Sequence, residues 1–132
     1  MNSVLKQIYT NLDIIVIEDC SIDGSLIQAR CFSKKDEIIR LIEHKCNLGL
    51  SEARNTGLKH AVGDYLYFLD SDDVINPKKF DLLVESMKGD EGIISMSNFR
   101  FVDGFMFEDC GLTSLREVNE ILLLSIRYNG LR

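Results

Sequence analysis

Asp70, Asp72 and Asp73 crowd into one tetrapeptide, Asp70-Ser71-Asp72-Asp73, directly after the apolar run Tyr65 to Leu69. Carboxylates packed at one strand end repel one another unless a cation or solvent compensates them. Their oxygen chemistry suits a hard divalent ion, Mg²⁺ or Mn²⁺, which keeps several waters and bridges one or two carboxylates to substrate phosphates. A nucleotide or other phosphorylated ligand is the implied partner. The plainer alternative is an Asp-rich turn that is solvated and caps the next helix. A second acidic pair, Glu18-Asp19, ends another apolar run, Asp13 to Ile17, and tilts the balance toward ligand binding.

The elements that must hold these groups alternate between two periods. Asp13 to Ile17 is short, β-branched and bounded by polar residues, as a strand buried on both faces should be. After the turn Cys20 to Gly24, with Ser21 or Asp23 available as a cap, Leu26, Ala29 and Phe32 fall at helical intervals over Ser25 to Ser33. Ile38 to Ile42 predicts a second strand. A helix follows with Leu50, Ala53, Gly57, Leu58 and Ala61 on one face and Gly63 placed to end it. Tyr65 to Leu69 predicts the third strand, and Pro77 suits the opening of a helix over 78–87. Further strands are expected at Gly92 to Met96 and Asn98 to Val102, and a closing amphipathic helix over Leu115 to Arg127. This alternation predicts an α/β fold with a mainly parallel, doubly wound sheet flanked by helices, whose ligands bind beyond the carboxyl ends of the strands.

Composition narrows the function classes. The 132 residues suit one domain, and 45% hydrophobic residues with a single proline describe a packed globular chain. A net charge of -6 with interspersed signs argues against nucleic acid as a partner, which would require clustered Lys and Arg. Cys20, Cys31, Cys46 and Cys110 form no C-x-x-C pair, so they read as reduced thiols rather than a zinc site. No apolar stretch approaches the roughly 20 residues of a membrane span. Met1 to Gln7 does not have the pattern of a secretory signal, and a cytoplasmic location is expected, at the cytoplasmic face of a membrane if longer flanks attach there.

Four blocks carry a family resemblance: Ser3 to Gln7, Ile14 to Ser25 (IIVIEDCSIDGS), Asn47 to Gly57 (NLGLSEARNTG) and Gly63 to Asp73 (GDYLYFLDSDD). Their order and spacing resemble the signature blocks of inverting family 2 glycosyltransferases over roughly residues 3 to 85. The resemblance implies a GT-A, Rossmann-like fold and a nucleotide-diphosphate sugar donor, commonly a UDP-sugar, with Mn²⁺ or Mg²⁺ as cofactor. It implies a single partial domain over 1–132, with a nucleotide-sugar-binding half over 1–88 and the start of an acceptor-side region over 89–132. The acceptor is a glycan or lipid-linked hydroxyl that the sequence does not specify, and polysaccharide synthesis is the implied setting. Residue by residue, Asp19 is expected to accept a hydrogen bond from the base, Arg54 to sit near the base or diphosphate, and Asp70 and Asp72 to form the D-x-D, with Asp72 nearest the metal. Helix or turn capping by Asp19 and a surface ion pair of Arg54 with Glu52 or a neighbouring acid are the plainer alternatives. Asn47, Gly49 and Gly57 are expected to shape loop and helix packing, and His44 and His60 to be bystanders.

The chain departs from the family pattern in three places. Cys20 stands where the family's acidic turn carries glycine. The family's opening strand would precede Ser3, whereas the sequence begins at Met1, so an exposed sheet edge and self-association into a homo-oligomer are expected. The family's catalytic base has no match; Glu108-Asp109 is the one acidic pair considered for the role, and no catalytic residue is assigned. Two other functions compete: an inactive, truncated nucleotide-binding fragment, and a phosphatase similar to the haloacid dehalogenases, whose D-x-D-x-[TV] pattern Asp70 to Val74 also fits. The latter leaves the earlier blocks unexplained.

Overall fold

The computed structural model describes residues 1–87 and, as backbone, residues 120–126. Contacts divide the chain into two compact units, one formed by Asn11–Asp73 with Glu117–Arg132 and the other by Met1–Thr10 with Val74–Arg116.

The first unit holds the sheet. Strand β1 (Leu12–Glu18) leads through helix α2 (Ser25–Lys35) to β2 (Ile39–Glu43), then through α3 (Leu50–His60) to β3 (Tyr65–Asp70). A fourth strand, β4 (Glu120–Ile126), completes the order β2-β1-β4-β3. Strand β1 pairs in parallel with β2 from Ile14 opposite Ile39 to Glu18 opposite Glu43. Strand β4 runs antiparallel to both β1 and β3, so β1, β2 and β3 all point the same way. Their carboxyl ends therefore lie along one edge of the sheet, as expected for strands ending at Ile17, Ile42 and Leu69.

Burial follows the sequence pattern. Ile14, Ile15, Val16 and Ile17 are each at most 2% exposed, which requires cover on both faces of β1 because successive side chains alternate. Ile15 and Ile17 meet Ala53 of α3, with Ile42 and Ala61 partly buried against them. Helix α2 packs on β1 and β2. At the opposite end of the strands, Arg40 grips Asp13 with two guanidinium nitrogens and also donates to the carbonyl of His60 at 2.8 Å. Helix α3 ends earlier than Gly63 suggested: Ala61 caps it in an extended conformation.

One expectation is overturned. The closing amphipathic helix over 115–127 is replaced, across 120–126, by β4. Five of those seven residues are apolar and four of them, Ile121 to Leu124, are consecutive. A short continuous apolar run does not distinguish helix from strand by period, and a strand between two neighbours suits such a run better than a one-sided helix does. The strands expected at 92–96 and 98–102 lie outside the described residues.

The second unit is organised by a buried amide. Helix α1 (Asn2–Leu5) presents Val4, and α4 (Lys79–Met87) presents Phe80, Leu83, Val84 and Met87, all buried. Gln7, 7% exposed, donates through Nε2 to the carbonyls of Ser3 at 3.0 Å and Asn76 at 2.7 Å. Its Oε1 accepts from the N–H of Phe80 at 3.3 Å, satisfying a donor in the first turn of α4 from 73 residues away. Replacing Gln7 with Leu keeps the volume but strands those partners, so it is expected to lower unfolding stability by about 2 kcal/mol. Urea denaturation followed by circular dichroism measures this directly.

Candidate functional site

The carboxyl edge of the sheet begins with a turn that contains its own acid. Glu18, 2% exposed, accepts from the backbone N–H of Ser21 and, at 3.3 Å, from that of Cys20. This folds the chain back at the end of β1 and places Cys20 at φ +61°, a left-handed conformation that favours glycine. Gly24 at φ +88° then leads into α2, where Asp23 Oδ1 accepts from the N–H of Ser25 at 3.0 Å and from its hydroxyl at 2.6 Å. Asp23, rather than Ser21, makes the side-chain contact at this helix entrance.

Asp19 is the most constrained group on the edge. It is 4% exposed and receives three donors: the N–H of Leu48 at 2.9 Å and His44 Nδ1 at 2.7 Å on Oδ1, and the N–H of Gly49 at 2.7 Å on Oδ2. Burial is the largest single influence and pushes its carboxyl upward, but the bonds from Leu48, His44 and Gly49 together outweigh it and hold the group below the ordinary carboxylate value. Asp19 is therefore an anion that fixes the loop before α3. Gly49 needs its freedom there, since it sits at φ +83° while its N–H reaches the carboxylate.

His44, expected to be a bystander, is not one. Its side chain is 9% exposed, Nε2 lies 3.0 Å from Thr56 Oγ1 on α3, and its backbone N–H bonds the carbonyl of Glu18 at 2.9 Å. Its spacing along the chain carried no signal of this, because the contact exists only through the pairing of β2 with β1. His60 stays exposed, with Nδ1 2.8 Å from the carbonyl of Thr56.

On the other side of β4, strand β3 delivers the second acidic turn. The N–H of Asp73 bonds the carbonyl of Asp70 at 3.1 Å, closing a tight turn in which Asp72 and Asp73 are exposed. Of the two acids open to Arg54 as plain ion-pair partners, Glu52 is met instead by Lys59 at 3.4 Å, and the neighbouring acid is Asp70. The Arg54 guanidinium lies 3.4 Å from Asp70 Oδ1 and 5.8 Å above the ring of Phe68. Arg54 Nε is a buried donor without a partner, and so is Ser21 Oγ. Burial, then the charges of Asp73 and Asp70, raise the Tyr67 phenol above its ordinary value, a sign that this turn concentrates negative potential. Asp19 and the Asp70 to Asp73 turn thus share the carboxyl edge, on strands two positions apart and hence about 10 Å across the sheet.

For a divalent cation the donor chemistry is suitable and the set is incomplete. Asp70 and Asp72 offer hard oxygen ligands on a solvent-accessible turn, yet no group of three or more His, Cys, Asp or Glu is arranged to hold a metal among the described residues. That suits an ion of the Mg²⁺ type, which takes one or two carboxylates and completes its shell with water and ligand phosphate. Glu108 and Asp109 lie outside the described residues.

An α/β sheet in which three of the four described strands run the same way, with acidic turns at their carboxyl edge, defines a Rossmann-like domain. Residues 1–111 match the model of glycosyl transferase family 2, and the chain belongs to that family, whose fold is GT-A. It is 37% identical over 101 residues to a glycosyltransferase of Haemophilus influenzae, covering 76% of this chain and 40% of that protein. It is 37% identical over 99 residues to the glycosyltransferase GlyA of Streptococcus pneumoniae, covering 75% of this chain and 14% of that protein. Against the glycosyltransferase EpsJ of Bacillus subtilis the identity is 41% over 85 residues, or 64% of this chain and 24% of that protein. The chain therefore spans less than half the length of these relatives. No solved structure matches.

Two outcomes follow from the first turn. A side chain at positive φ costs about 1 to 2 kcal/mol, partly offset by the greater chain entropy that glycine loses on folding, so Cys20→Gly is expected to raise stability by about 1 kcal/mol or less in urea denaturation. Asp19 has a folded value below its unfolded one, so its stabilisation is complete above the ordinary value of 3.8 and is lost as pH falls through the depressed folded value. Asp19→Asn is expected to be less stable at neutral pH and to lose less stability on acidification below about pH 4, which denaturation curves across that range will show.

Proposed function

We propose that this chain is the donor-binding part of a glycosyltransferase that moves a sugar from a nucleotide-diphosphate sugar, a UDP-sugar by preference, to an acceptor hydroxyl in glycan or polysaccharide synthesis. The observation that carries this reading is the meeting of Asp19 and the Asp70 to Asp73 turn at one edge of the sheet, with Arg54 between α3 and that turn. In this reading residues 1–88 bind the donor and 89–132 begin the acceptor side.

Asp19 Oδ2 takes a single internal donor, which leaves it capacity for an N–H of the base. Arg54, with a long contact to Asp70, the Phe68 ring beneath it and Nε unpartnered, turns toward the diphosphate in this reading. Asp72 and Asp70 would hold the Mn²⁺ or Mg²⁺. When bound, that ion would supply positive charge to offset what builds on the departing diphosphate as the acceptor oxygen displaces it from the anomeric carbon. The base that deprotonates the acceptor is not assigned to any described residue.

The reading extends to a cytoplasmic protein, at the cytoplasmic face of the membrane in the longer protein, that self-associates. Cys20, Cys31 and Cys46 are free thiols, as suits a reducing compartment, and no described helix is long and apolar enough to cross a membrane.

The test is calorimetric titration of UDP with Mn²⁺. Diphosphate and acidic turn carry the same sign, so binding is expected to collapse when the cation is chelated. Asp72→Asn is expected to cost about 1 to 3 kcal/mol of metal-dependent affinity. Unchanged, chelator-insensitive binding in that variant would remove Asp72 from the metal site.

A further inference from the structure

The His44 side chain, 9% exposed, is a titratable group for which donor binding gives no role, and its surroundings are specific. Asp19 lies on one side of the ring and Thr56 on the other, at 2.7 Å and 3.0 Å. Because Asp19 is held as the anion, Nδ1 carries a proton and donates to it. The Thr56 hydroxyl, which can donate or accept, engages Nε2 on the far side of the ring. The backbone of His44 is itself anchored to the carbonyl of Glu18, the residue before Asp19. The ring therefore has a fixed position and both nitrogens engaged.

We propose that His44 is a positioning residue for the base-binding carboxylate, selecting which oxygen of Asp19 faces an incoming nucleobase. The inference rests on the donor-binding role given above to Asp19. Oδ1 already takes the Leu48 N–H and the His44 Nδ1–H, which fill its two acceptor directions. Oδ2 takes the Gly49 N–H alone. Without the imidazole, the carboxylate has two oxygens with one internal donor each and no longer distinguishes them. Its plane can then rotate, and the acceptor direction offered to a ligand is no longer unique. Thr56 extends the effect, because it fixes the far side of the ring to α3, the helix that also carries Arg54. The position of the base acceptor is thereby referenced to the same helix as the guanidinium proposed for the diphosphate.

Two substitutions separate the halves of this device. Asn places an amide N–H near the position of Nδ1, and Gln places one near that of Nε2. His44→Asn thus retains a donor for Asp19, whereas His44→Gln reaches toward Thr56 and abandons the carboxylate. The probes are UDP and inorganic pyrophosphate, each titrated calorimetrically with Mn²⁺ into the 132-residue chain and its variants. His44→Gln is expected to weaken UDP by about tenfold while pyrophosphate changes by less than about twofold, the loss of one charge-assisted hydrogen bond at the base alone. His44→Asn is expected to recover most of the UDP affinity. Amide exchange in the unliganded protein supplies a parallel readout, in which Leu48 and Gly49 exchange faster in the Gln variant than in the Asn variant.

Should His44→Gln fail to fold, Thr56→Val, which keeps the side-chain shape and removes the hydroxyl, is expected to weaken UDP selectively by about threefold. Equal losses for UDP and pyrophosphate, or no loss for UDP, in the variant that folds would overturn the positioning role while leaving donor binding intact. Failure of the unaltered chain to bind either probe would instead overturn the donor-binding reading itself, and the inference with it.

Discussion

The edge of this sheet is built on a buried carboxylate that must remain charged. Asp19 has been taken out of water, which by itself disfavours the anion, and three N–H donors from one short loop reverse the balance. None of those donors belongs to a regular element. They come from the stretch between β2 and α3, which without the acid would be a loop with unsatisfied backbone groups. The loop thus depends on the acid for its shape, and the acid depends on the loop for its charge. Helix α3 inherits its starting point from the same arrangement, because the bond to Gly49 lies at its first turn.

The two acidic turns, alike in sequence, have opposite characters. Glu18 and Asp19 are turned inward and committed to backbone donors, whereas Asp72 and Asp73 point to solvent and Asp70 has one long contact with Arg54. A preformed turn of inward acids gives shape and a fixed acceptor. An exposed turn of outward acids gives charge that a cation can share. Crowded carboxylates at a strand end allow either use, and only the donors supplied by distant segments decide which one a given turn adopts.

This difference marks how far the residues themselves could be read. The three parallel strands and the helices between them were legible because each signal was local: apolar runs of five or so residues, helical spacing, and turn residues at each boundary. The carboxyl-edge location of Asp19, Asp70 and Asp72 followed from those signals together with strand direction. What stayed hidden was long-range. His44 sits beside Asp19 only because β2 lies next to β1, and no spacing along the chain encodes that. The character of residues 120–126 was equally out of reach, since an apolar stretch takes the conformation its neighbours offer. Cys20 falls between these cases: its place in the acidic turn was visible, and its positive φ needed coordinates.

The antiparallel strand at the centre of the sheet carries a consequence for the order in which the molecule can be made. Among the described strands, β3 has no partner except β4, and β1 is joined to β3 only through β4. The ribosome delivers β3 about fifty residues before it delivers the strand that pairs with it, counted along a chain emerging at about 5 to 20 residues per second. For several seconds, then, Leu66 and Phe68 leave the ribosome on a strand whose backbone has no ladder to join. Contacts of such large sequence separation are slow to close and leave apolar edges open to other chains in the meantime. The described sheet is thus one that a nascent chain completes only after β4 has emerged.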